Sequence, residues 1–95
     1  MPEMHFRVEW PDGKQIDYYS PSLVVKKYFE EGGEYPVDEF VEKARESLNI
    51  ASDRVKAKYG FACGRAMGSL QQIEQVASAY GDAGQAVRVI RFTSV

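Results

Sequence analysis

The chain has 95 residues, a formal net charge of −2 and 44% hydrophobic, 13% aromatic and 27% charged residues. That size and composition describe one small globular domain over 1–95, burying about 60–65% of its unfolded surface, and exclude a two-domain, fibrous or disordered chain. Twelve scattered Lys and Arg against 14 Asp and Glu argue against nucleic acid as a partner, and no apolar run reaches the roughly 20 residues of a membrane span.

The first segment, Met4 to Trp10, alternates apolar with polar residues, the pattern of a strand buried on one face. Pro11-Asp12-Gly13-Lys14 then supplies turn chemistry and leads back into Gln15 to Tyr19 as the second strand of a hairpin. Ser20-Pro21 reads as an N-cap followed by proline at the first helical position, opening a short helix through Phe29 that Gly32-Gly33 ends. Val37, Phe40, Val41, Ala44, Leu48, Ala51 and Val55 keep helical phase. Acids begin that stretch and Lys56 and Lys58 end it, as the helix dipole favours.

One long helix before Gly60 is therefore predicted, with Gly60-Phe61 as a left-handed cap and its apolar contact. A break near Asn49, with Ser52 capping a second helix, is the competing reading. A further helix runs from Ala62 through Tyr80 to Gly81, and Ala86 to Phe92 forms a C-terminal strand rejoining the hairpin. The expectation is an α+β fold of order β-β-α-α-α-β, with a small antiparallel three-stranded sheet covered on one face by helices.

No phosphate loop, dinucleotide fingerprint, His-Glu-x-x-His or Cys-x-x-Cys pattern occurs in the sequence. With one His and one Cys, neither a metal nor another cofactor is expected. The lone Cys63 forms no internal disulfide, in keeping with a reducing cytoplasm. Near a helix start and two residues from Arg65, its thiol is a candidate for chemistry; a small core residue is the plainer reading.

Gly60, Gly64 and Gly68 recur every four residues. Packing against the neighbouring helix explains such a stripe most simply, and a homodimer contact or a ligand against bare backbone are the alternatives. His5, Arg7 and Glu9 share the polar face of the first strand, where Asp17 or Tyr19 could join them. That face is either a candidate ligand or partner surface or simply solvated sheet. Tyr28 and Tyr35 flank the loop from Glu30 to Glu34 and are candidates for the rim of a recognition site.

The stretches Met1–Gly13, Tyr19–Phe29, Tyr35–Arg45 and Ala51–Met67 resemble a bacterial family of nitrogen starvation response proteins, small proteins encoded in nitrilase-containing gene clusters. The resemblance implies a shared pathway with a nitrilase-like protein, a radical-SAM protein, an acyltransferase-like protein and a flavoprotein. It supplies no established active site. A non-catalytic accessory or partner-binding protein of that pathway is the leading expectation, with proteins of the same cluster, or a second copy, as partners. A small-molecule binder or minor enzyme using Cys63 and Arg65 or the His5, Arg7 and Glu9 face is the alternative. A transcriptional regulator is the weakest reading, for want of a basic recognition helix.

Overall fold

The computed structural model describes residues 3–61, 64–80 and 85–94. Strand β1 (Met4–Glu9) pairs antiparallel with β2 (Gln15–Ser20). The reversal between them uses Gly13, whose φ of 91° is left-handed and whose N–H donates to the Trp10 carbonyl at 2.8 Å. Met4, Phe6, Val8 and Trp10 all point inward and are buried, as their alternation requires.

A 3-10 helix, Leu23–Lys27, stands where a short helix opening at Ser20-Pro21 is predicted. Its cap is Ser22, whose hydroxyl accepts from the Val24 N–H at 3.3 Å. Ser20 instead ends β2, fully buried, and its hydroxyl donates to the Ser22 carbonyl at 2.7 Å. The sheet also gains a strand that the sequence reading lacks: β3 (Glu34–Pro36) lies against β4 (Ala86–Ser94), making four antiparallel strands in the order β2-β1-β4-β3. Two further backbone bonds, Gly32 N–H to Val89 O at 2.6 Å and Val89 N–H to Gly33 O at 2.9 Å, extend that pairing. The order is thus β-β, a 3-10 helix, β-α-α-β, rather than β-β-α-α-α-β.

Helix α1 (Val37–Tyr59) runs without interruption, so Ser52 lies inside it, buried, and caps nothing. Gly60 ends it at φ 87° and donates its N–H to the Lys56 carbonyl at 2.8 Å. Phe61 is 69% exposed, so it gives the cap little apolar cover from the described residues. Helix α2 (Gly64–Ala77) returns antiparallel, joined to α1 by the Arg45–Glu74 ion pair at 2.9 Å.

The inner sheet face packs on Phe40, Ala44 and Leu48 of α1 and on Ala66, Leu70 and Ile73 of α2. Aromatic rings tie this core together: Phe29 contacts Phe6, Phe40 and Tyr35, while Trp10 meets Phe40 edge-on and stacks on Tyr80. The Trp10 indole N–H donates to the Tyr18 hydroxyl at 3.1 Å, which lets two polar atoms sit within apolar surroundings. Tyr35 serves the fold as well, its hydroxyl accepting from the Glu30 N–H at 2.9 Å across the glycine loop.

Neither sheet edge is long and bare. The β3 edge is three residues ending in proline, and α2 crosses the β2 edge, where the buried Ser69 hydroxyl accepts the Tyr19 N–H at 3.2 Å. Among the described residues, no helix is long and apolar enough to cross a membrane.

Candidate functional site: a groove where a helix crosses the sheet edge

Register places His5 opposite Tyr19 and Arg7 opposite Asp17, so these four side chains share the outer face at the β2 side of the sheet. Arg7 grips Asp17 through two hydrogen bonds, Nε to Oδ1 at 2.9 Å and Nη2 to Oδ2 at 3.0 Å. That bond holds the Asp17 carboxyl below the ordinary carboxylate range and raises Arg7. The two charges largely neutralise one another.

Tyr19 is only 8% exposed although it lies on this outer face. His5 meets its ring edge-on with centroids 5.9 Å apart, and the Arg65 guanidinium sits 3.7 Å from the ring centroid. Its hydroxyl donates to Glu3 Oε1 at 2.5 Å. Arg65 reaches this position because Arg65, Gly68, Ser69 and Gln72 follow the 3-and-4 spacing of one helical stripe, which α2 turns toward β2. Between stripe and strand lies a groove of about 310 Å³, lined by those four residues with His5, Asp17, Tyr18 and Tyr19. At Gly68 no atom of the described residues lies within 4 Å of where a Cβ would be, so the glycine leaves the groove wall open to them.

The second feature is the end of the helical pair. The 23 residues of α1 make a rod about 34 Å long. Its buried residues stop at Ser52. Tyr59 and Phe61, 55% and 69% exposed, stand at the overhanging end on either side of Gly60, with the Lys58 ammonium over the Tyr59 ring at 5.5 Å.

A family model described as nitrogen starvation-induced protein NitG matches residues 5–92, which takes in both helices, β2, β3, nearly all of β1 and β4, the groove and the overhanging end. The chain belongs to the NitG family. No curated protein and no solved structure matches it. The resemblance drawn from the sequence segments is thereby shown, and with it the association of this NitG family member with nitrogen starvation.

The fold brings His5, Arg65 and Gly68 into the groove, joined by the Asp17 and Tyr19 that the sequence offers as neighbours of His5, and sets Arg7 beside it through Asp17. Glu9 is elsewhere. It accepts from the Gln15 amide at 3.2 Å and lines a separate hollow of about 230 Å³ with Trp10, Glu34 and Arg88. Cys63 lies outside the described residues.

Among the described residues nothing lies within 4 Å of a Cβ at Gly60, Gly64 or Gly68, so no described side chain packs closely on the glycine stripe. Gly60 is required by its left-handed backbone, whereas Gly64 and Gly68 meet no close neighbour among the described residues. Ser69 and Gln72 were not legible as site residues; their one signal was falling four and seven positions after Arg65. Among the described residues no cluster of three His, Cys, Asp or Glu is arranged to hold a metal.

Proposed function

We propose that this NitG family member is a non-catalytic, cytoplasmic partner-binding protein of the nitrogen-starvation response, acting on proteins encoded in the same nitrilase-containing gene cluster. The observation that carries this reading is the exposed aromatic pair Tyr59 and Phe61 at the overhanging end of the helical hairpin. Exposed tyrosine and phenylalanine within three positions offer rigid apolar area of the kind enriched in protein interfaces. The two residues lie beyond the part of α1 that the core uses, so they are available without disturbing it.

The test is calorimetric titration of the purified chain against each protein of its gene cluster, with Phe61→Ser in parallel. At least one partner should bind, and the substitution should weaken it about 30-fold, as expected of an interface anchor worth about 2 kcal/mol. Absence of heat and of co-elution with every cluster protein defeats the reading. The alternative, a small-molecule binder, is favoured by a different observation: the arginine-lined groove.

A further inference from the structure

We infer that the groove between α2 and β2 is a binding site for a compact oxyanion, a carboxylate or phosphate group carried by a small molecule. Charge comes first. In a chain of net charge −2, Arg7 and Asp17 cancel across their bidentate pair, and the Glu3 carboxylate keeps its charge but is held on the Tyr19 hydroxyl. Arg65 is left as the groove's cation, with no carboxylate within ion-pair distance among the described residues. Arg91, on the same sheet face opposite Arg7, adds a second positive field behind Asp17.

Geometry comes second. A guanidinium seated on an aromatic face uses its flat side for the ring and keeps its edge N–H groups for acceptors lying in its plane, the arrangement that matches carboxylate and phosphate. Tyr19 supplies that face at 3.7 Å, and the Tyr19 ring is itself fixed by His5 and Glu3, so the cation is held in place before a ligand arrives. Arg65 also sits at the second residue of α2, the positive end of the helix dipole.

Hydrogen bonding comes third. Ser69 is only 7% exposed, and its hydroxyl oxygen accepts the Tyr19 N–H. Its own proton reaches no acceptor among the described residues, which leaves a buried donor bordering the groove. The Gln72 amide and His5 imidazole complete a lining rich in donors. The volume of about 310 Å³ is at the small end of ligand sites, and the missing side chain at Gly68 keeps it open, so the ligand is compact.

The full chain, labelled with ¹⁵N, is titrated at pH 7 with malonate and, separately, inorganic phosphate, each against potassium chloride at matched ionic strength. Saturating shifts are expected at the amides of Tyr19, Gly68, Ser69 and Gln72, and whichever anion saturates at lower concentration identifies the group. Arg65→Gln should weaken binding at least about tenfold, since a charged hydrogen-bonding partner is lost. Gly68→Val, which fills the open wall, should also abolish saturation while the remaining amide spectrum shows the fold retained. A response that rises linearly like the chloride control, or one that saturates equally in Arg65→Gln, overturns the site.

Discussion

Helix α1 is one uninterrupted element with two different environments. From Val37 to Ser52 it lays Phe40, Ala44, Leu48 and Ala51 on the sheet and on α2; from Asp53 onward no described residue of the helix is fully buried. The first part is held by its apolar stripe. The second is held by backbone hydrogen bonds, by the Arg54 guanidinium donating to the Ser22 hydroxyl at 2.9 Å, by Lys56 and Lys58 at the negative end of the dipole and by the Gly60 cap. The contrast separates stability from availability: residues that fix the fold are at one end, and those free to meet another molecule are at the other.

Equal costs at the two ends would break this contrast. Phe40→Ala should cost about 3–5 kcal/mol, enough to leave so small a domain largely unfolded, whereas Tyr59→Ala should change stability by no more than about 0.5 kcal/mol; urea unfolding measures both. A smaller effect is expected from Tyr18→Phe, which removes the buried acceptor of the Trp10 indole and should cost about 1–3 kcal/mol. Burial also raises the Tyr18 phenol above its ordinary value, against the lowering effect of the Trp10 hydrogen bond. The folded chain therefore keeps that proton where the unfolded chain loses it. The contribution is present below the unfolded value of about 10 and is lost as pH rises through the higher folded value, so wild-type stability should fall more steeply above about pH 10 than that of Tyr18→Phe.

The glycines sharpen the contrast with the smallest effect. Gly68→Ala, inside α2 with space for a methyl group, should stabilise by about 0.5–1 kcal/mol. Gly60→Ala, at φ 87°, should destabilise by about 1 kcal/mol although it too has open space, and thermal unfolding distinguishes the signs.

Much of the fold was legible because it depends on periodicity. Phe6, Val8 and Trp10 announce β1 by alternation, and Val37 through Val55 announce α1 by phase. What was missed depends on partners distant in sequence. Glu34-Tyr35-Pro36 has too few residues to show a period, and it is a strand because Arg88, Val87 and Ala86 of β4 lie opposite it. Ser20 and Ser22 carry the same hydroxyl two positions apart, and burial of Ser20 at the end of β2 decides which of them caps the 3-10 helix. In the groove, His5 and Arg65 were each visible as chemistry, but the Tyr19 ring that brings them together became decisive only when α2 crossed the edge of β2.

The inner pair of the sheet joins the two most separated segments of the sequence: Met4 lies opposite Ser94, 90 positions on. Helices α1 and α2 can pair locally while a nascent polypeptide is still being extended, but β1 has only its hairpin partner, and β3 has none, until β4 has left the ribosome. Synthesis therefore passes through a period in which Phe6, Val8 and Trp10 lack the Val87 and Val89 side of their core.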